Sequence, residues 1–197
     1  MKDRIRAFIA VNIPNDIRDG LAEIRRQLKT SGADARWVKP NRMHLTLRFL
    51  GNDVPVQIVE AIGGSLRDSL APIERFGVSI GGLGAFPSVA KPRVVWIGIE
   101  PHDGPLQELH GAVEDAVEKA GWSREEKPFT PHLTLGRIKS QSPIGKLRQV
   151  LEKGTNAAVG HMIVGSVALI RSELTPNGPV YETLTTVPLK PREQESS

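Results

Sequence analysis

Hydrophobic and polar positions alternate along residues 4–13. Ile5, Ala7, Ile9, Val11 and Ile13 take one face, and Arg4, Arg6, Phe8, Ala10 and Asn12 the other. A period of two is that of a strand with one buried side. From Asn15 the period lengthens: Ile17, Leu21, Ile24 and Leu28 fall at helical spacing as far as Lys29, and Gly32 closes the segment. Pro40-Asn41 signals a turn, and residues 43–50 read as a strand stopped by Gly51-Asn52. Ile58, Ile62, Leu66 and Leu70 predict a second helix, weakened by Gly63-Gly64. Residues 75–80 alternate as a strand through Phe76, Val78 and Ile80, and the Gly, Pro and Ser of 81–92 predict a loop.

The pattern then restarts. Residues 93–99 read as a strand, 105–120 as a helix with Leu106, Leu109, Val113 and Val117 on one face, and 129–138 as a strand. Ser142-Pro143 predicts an N-cap and first-turn proline for a helix carrying Ile144, Leu147 and Leu151. Strands over 161–174 and 180–187 follow, parted by the turn 175–179. Both halves run strand, helix, strand, helix, strand, which predicts an internal duplication within one unit over residues 1–189. The polar stretch 190–197 predicts a disordered tail.

The two strands at the middle of the halves share a tetrapeptide, His44-Leu-Thr-Leu47 and His132-Leu-Thr-Leu135. On a strand the His and Thr of each copy share one face and the two leucines the other. A lone His-x-Thr is most often structural. Two copies in matched contexts instead suggest two opposed polar faces, each with a proton-transfer group and a hydroxyl. Histidine titrates near neutral pH, so one imidazole can accept a proton while the other donates one. That suits in-line displacement at phosphorus, with Thr46 and Thr134 bonding the non-bridging oxygens. Arg48 is in phase with His44 and Thr46, so its guanidinium is a candidate phosphate ligand. Arg137 falls on the leucine face by strict alternation, unless Gly136 hosts a bulge that turns it back.

Composition narrows the field. The chain has 197 residues, 39% hydrophobic and 24% charged, enough for a sizeable core. Its net charge of +4 permits a polyanionic partner without demanding one. It has no cysteine, so disulfides and thiolate metal sites are excluded. Two histidines without a nearby carboxylate set make a poor divalent site, so no metal and no cofactor are expected. No stretch approaches membrane-spanning length, so a soluble cytoplasmic protein with no membrane partner is expected. Phe8 lies beside Arg6 on the polar face of the first strand; it either stacks a base or packs in a small satellite core. Trp37, Trp96 and Trp122 read as core or lobe-edge residues, and Arg4, Arg6, Lys39 and Arg42 as candidates for the approach of a polyanion. His102, His110 and His161 have no partner motif and are assigned no role.

The runs His44-Leu-Thr-Leu-Arg-Phe-Leu-Gly51 and Pro131-His-Leu-Thr-Leu-Gly-Arg137 resemble the two-histidine (2H) phosphoesterases. So do Gly84-Ala-Phe-Pro-Ser88, Pro92-Arg-Val-Val-Trp-Ile-Gly98 and the ending Arg171-Ser-Glu-Leu-Thr-Pro-Asn-Gly-Pro-Val-Tyr-Glu182. Within that superfamily the likeness is to the RNA 2′,3′-cyclic phosphodiesterases, also called the 2′-5′ RNA ligase family, and it covers residues 4–189. The resemblance implies a bilobal α+β fold with a duplicated βαβαβ unit, antiparallel strands lining a central cleft and helices outside. It implies metal-independent opening of an RNA 2′,3′-cyclic phosphate to a 2′-phosphate, with His44 as proton donor and His132 as proton acceptor. Thr46 and Thr134 would bind the phosphate, and Arg137 stands where relatives carry a substrate arginine. The residues alone do not distinguish the two histidines. ATP-independent 2′-5′ ligation at the same site, and an RNA-end-binding module without turnover, stay open as alternatives. A monomer acting on RNA ends, with tRNA fragments among the candidate substrates, is the expectation for partners.

Overall fold

The computed structural model describes residues 3–141, 143–176 and 178–192. Nine strands and four helices are present among them. Strand β1 (Arg4–Asn12) leads into helix α1 (Asn15–Lys29), then β2 (Ala35–Trp37), β3 (His44–Pro55), α2 (Val56–Leu70) and β4 (Phe76–Phe86). The second half runs β5 (Val94–Glu100), α3 (Pro105–Lys119), β6 (His132–Ile138), α4 (Gly145–Lys153), β7 (Ala158–Val164), β8 (Ser166–Thr175) and β9 (Gly178–Pro188).

The strands form two antiparallel sheets, ordered β3-β1-β8-β9 and β2-β6-β5-β4-β7. The halves are interleaved. β4 belongs to the first half but pairs with β5, and β8 belongs to the second but pairs with β1. Each sheet therefore holds one motif strand and strands from both halves, and the α+β, antiparallel architecture expected from the sequence is found.

One continuous apolar core joins the helices to the sheets. Ile17, Leu21 and Leu28 of α1, Ile62, Leu66 and Leu70 of α2, Leu109 and Val113 of α3 and Leu147 and Leu151 of α4 are all buried in it. The motif leucines Leu45, Leu47, Leu133 and Leu135 point into the same core. α2 runs unbroken through Gly63-Gly64 because its other face-forming residues are buried; tertiary packing outweighs the glycine penalty.

The structure departs from the sequence pattern at several places. The expected loop 81–92 begins as strand, since β4 continues to Phe86 through a register shift at Gly82, whose φ is 72°. The glycines that signalled a loop serve close packing instead: the Trp96 ring lies directly over Gly84, where a Cβ has no room. The expected single strand 161–174 is two strands in different sheets, with Gly165 between them. Extended backbone on both sides hides that change of sheet from any alternation pattern. β2 carries too few residues to show a period. α4 starts at Gly145 with Ile144 at its N-cap position, so Pro143 is not its first-turn residue; Ser142 lies outside the described residues, as does Asn177 of the expected turn. Lys190, expected in the tail, exchanges main-chain bonds with Ile73 and Arg75; residues 193–197 lie outside the described residues.

Candidate active site

β1 and β5 set the two motif strands in place. On β3, His44 is opposite Asn12 and Thr46 opposite Ala10; on β6, His132 is opposite Gly98 and Thr134 opposite Trp96. All four motif side chains are half-buried while the leucines between them are buried. The two-residue period thus separates a chemical face from an anchoring face on both strands.

Both imidazoles are held in the same way. His44 Nδ1 lies 3.1 Å from the carbonyl oxygen of Arg42, and His132 Nδ1 lies 2.7 Å from that of Thr130. A carbonyl only accepts, so each Nδ1 carries the hydrogen and donates it. The tautomer is fixed on each ring, and Nε2 is left as the acid/base atom.

The rings sit among aromatics. Phe8 stacks on His44 with centroids 4.6 Å apart and planes 23° from parallel, and the edge of Tyr181 meets both rings at 5.3 Å. Phe8 also belongs to a small apolar cluster with Ala10, Ala168 and Ile170, so the satellite core and the cleft wall are one structure. His132 is flanked by Phe86 at 5.0 Å and Trp96 at 6.2 Å. Burial pushes the His44 pKa down to about 4, only partly offset by the bond to the Arg42 carbonyl. Burial also lowers His132, with the Thr130 carbonyl opposing and the Arg137 charge adding to the drop. Both imidazoles are therefore held neutral by burial at neutral pH.

A bulge follows each threonine. The register of β1 with β3 slips between Thr46 and Arg48, and that of β5 with β6 between Thr134 and Gly136. Each slip inserts one residue and reverses the facing of the residues beyond it. Arg137 is accordingly exposed on the chemical side, close enough for its charge to act on both His132 and Tyr181. The same slip corrects the expectation for Arg48. Its side chain is 6% exposed, turned away from His44 and Thr46, and neutralised by Glu114 and Glu125. It is not a phosphate ligand.

Tyr181 was missed by the sequence reading. Burial raises its pKa, while Arg6, Arg42 and Arg137 draw it back, so its hydroxyl sits among guanidiniums from both sheets. The only signal was position: it is the single tyrosine of the chain, within the ending run that carried the resemblance. The Arg42 and Thr130 carbonyls were also missed, although each stands two residues before its histidine.

The other candidates are dispersed. Arg6 lies over the Phe49 ring at 4.5 Å and bonds Asn52, while Arg4 pairs with Asp53 at 2.8 Å. Arg42 lies against Gly178. Lys39 borders a surface hollow with Arg18 and Arg25. Trp37 covers Gly136, and Trp122 donates its Nε1 hydrogen to the Leu50 carbonyl at 3.0 Å. His102 pairs loosely with Glu100, His110 stacks on Phe129, and His161 bonds Ser79. A hollow of about 240 Å³ between Ser79, Glu100, His161 and Ile163 borders no motif residue. Among the described residues no group of three or more His, Cys, Asp or Glu is gathered to hold a metal, and no helix is long and apolar enough to cross a membrane.

Comparison with known proteins agrees with this fold. The model of the 2′-5′ RNA ligase superfamily matches residues 13–176, and the chain belongs to that superfamily. It is 38% identical over 178 residues to the RNA 2′,3′-cyclic phosphodiesterase of Methanothermobacter thermautotrophicus, covering 90% of this chain and 95% of that one. It is 35% identical over 180 residues to the protein of the same name from Aquifex aeolicus, covering 90% and 93%. Among solved structures, TT0787 of Thermus thermophilus superposes with a TM-score of 0.79 at 28% identity, over 95% of this chain and 100% of that one. Escherichia coli LigT complexed with 3′-AMP shares the fold with a TM-score of 0.75 at 22% identity, over 95% and 99%.

Proposed function

We propose that the protein is an RNA 2′,3′-cyclic phosphodiesterase, a hydrolase that opens the cyclic phosphate at an RNA end to a 2′-phosphate by two-histidine acid/base catalysis. The activity rests on relatives of that name that align over nine-tenths of the chain. The mechanism rests on one observation above the others: both motif imidazoles donate Nδ1–H to a carbonyl and so keep Nε2 for proton transfer.

His132 Nε2 takes a proton from water as the water oxygen bonds to phosphorus. The P–O3′ bond breaks, and protonated His44 gives its Nε2 proton to the departing 3′ oxygen. Thr46, Thr134 and Arg137 hold the non-bridging oxygens, with the Tyr181 hydroxyl as a further donor beside them. Phe8 supports His44 from behind, so its stacking surface serves the ring and not a base. His44 is held neutral by burial and must be charged to act as donor. The bound phosphodiester supplies the negative charge that raises it.

The same site would join the cyclic phosphate to a 5′-hydroxyl as a 2′-5′ linkage if a ribose oxygen replaced water, and the superfamily's description names a 2′-5′ RNA ligase. Residues 1–189 act as one bilobal unit, as a cytoplasmic monomer without metal or cofactor, with RNA ends such as tRNA fragments as substrate. The test is incubation of a 2′,3′-cyclic-phosphate oligonucleotide with EDTA, followed by analysis of the ends. A 2′-phosphate supports the reading and a 2′-5′ joined strand favours the ligase. Binding without turnover leaves only an RNA-end-binding module.

A further inference from the structure

Arg48 stands four residues after His44, and the matching place after His132 is Gly136. The motifs diverge here, and what Arg48 does instead is specific. Its Nη2 donates to the Ser123 carbonyl at 2.5 Å, Nη1 meets Glu125 Oε2 at 3.1 Å, and Nε lies 3.3 Å from Glu114 Oε1. Glu114, itself 3% exposed, accepts the Glu125 main-chain N–H at 3.0 Å through Oε2. His110 Nε2 is 3.8 Å from Glu114 Oε1, and the His110 ring stacks on Phe129 at 4.1 Å with planes 4° apart. Trp122 adds a bond to Leu50 of β3 at 3.0 Å.

Most of these contacts fasten the irregular stretch 122–131 to β3 or α3: Arg48 with Ser123 and Glu125, Glu114 with the Glu125 N–H, His110 with Phe129 and Trp122 with Leu50. The Arg48–Glu114 pair ties β3 to α3 directly. Near the end of that stretch is Thr130, whose carbonyl fixes the His132 ring at 2.7 Å. We propose that Arg48 is a positioning residue: it ties the first motif strand to the segment before the second, and through the Thr130 carbonyl sets the orientation and tautomer of His132. This rests on the acid/base reading of the two histidines. Stability alone does not call for an ion pair at this place, since apolar residues of similar volume replace buried pairs at little cost. What the guanidinium adds is a planar fork that bonds the Ser123 carbonyl while lying within ion-pair distance of two carboxylates. A shift of the Thr130 carbonyl would tilt His132 Nε2 away from the attacking water, and such displacements of about 1 Å cost up to ~100-fold in rate.

The test compares Arg48→Met, Arg48→Lys and the double variant Arg48→Met/Glu114→Leu, which leaves no unpaired buried charge. Thermal stability, kcat and KM on a 2′,3′-cyclic-phosphate oligonucleotide, and the tautomer of each imidazole by ¹⁵N NMR of the free protein are measured. The proposal expects the double variant to regain the stability that Arg48→Met loses, yet to keep a kcat ~10- to 100-fold below wild type with KM within about twofold. It also expects mixed tautomers at His132 alone, with Arg48→Lys intermediate. Turnover that recovers together with stability, or a His132 tautomer unchanged in all three variants, overturns it. A wild type without turnover defeats the functional reading instead, and the His132 tautomer then decides this proposal by itself.

Discussion

The two motif strands are the same device set in two surroundings. β3 and β6 each present His and Thr on one face and bury two leucines on the other. Each imidazole donates Nδ1–H to the carbonyl two residues before it, and each threonine is followed by a bulge. Beyond the bulge they part. The first strand carries Arg48 into a buried ion pair and exposes Phe49, while the second has Gly136 under Trp37 and exposes Arg137. His44 is enclosed by Phe8 and Tyr181, whereas His132 shares its side of the cleft with a guanidinium. A duplicated motif supplies two chemically equal groups, and in the proposed mechanism their different neighbours give them different work.

The largest effect that would break the comparison is loss of either imidazole. His44→Ala and His132→Ala should each lower turnover of a cyclic-phosphate oligonucleotide by about 10²- to 10⁴-fold, with circular dichroism unchanged. Near-normal rates in both would remove the acid/base pair. Next are the two arginines, which should separate cleanly. Arg137→Ala should reduce kcat/KM by about 10²-fold and leave the melting temperature alone, because its side chain is exposed and in the proposed mechanism it holds the phosphate. Arg48→Ala should destabilise by about 3–5 kcal/mol in chemical unfolding, because it leaves Glu114 buried without its partner. If Arg48→Ala instead weakened phosphate binding in a stable protein, the different facing of the two arginines would be wrong.

That pair also shows where the sequence could and could not be read. Alternation located the buried and half-buried faces of β3 and β6, since a period of two survives in any half-buried strand. On β1 it missed that Phe8 and Ala10 are buried as well, in a cluster with Ala168 and Ile170 that only the sheet order creates. It failed at Arg48 because one bulge residue inverts parity, and nothing in Thr46-Leu47-Arg48 announces a bulge. At Gly136 the glycine gave a hint. Residues 81–86 read as loop because their glycines answer neighbours distant in sequence, the Ala157 carbonyl for Gly81 and the Trp96 ring for Gly84, and local pattern holds no record of them. Tyr181 reaches His44 only once β9 is placed two strands away from β1, which is topology and not periodicity.

The anchoring faces should respond alike. Leu45→Ala and Leu133→Ala should each cost about 2–5 kcal/mol in stability, since both are fully buried. A large difference between them in denaturant unfolding would show that the two halves are not equivalent supports. The smallest effect concerns acid. His44 has a folded pKa of about 4 against an ordinary 6.5, so the unfolded chain takes up a proton that the folded one refuses. Folding stability should therefore fall as pH drops from about 6.5 to 4, and His44→Gln should lose part of that fall. An unchanged pH–stability curve in this variant would mean that the ring is not held neutral by its aromatic cage.

The most direct measurement of unlike work from like histidines is the pH dependence of kcat for cyclic-phosphate hydrolysis in wild type and in the two single variants. A donor must be protonated, so its titration makes the alkaline limb of the profile; an acceptor must be free, so its titration makes the acid limb. The wild type should give a bell. The residual activity of His44→Ala should keep only the acid limb, and that of His132→Ala only the alkaline one. Loss of the same limb in both variants, or a bell retained in either, would contradict the division of roles.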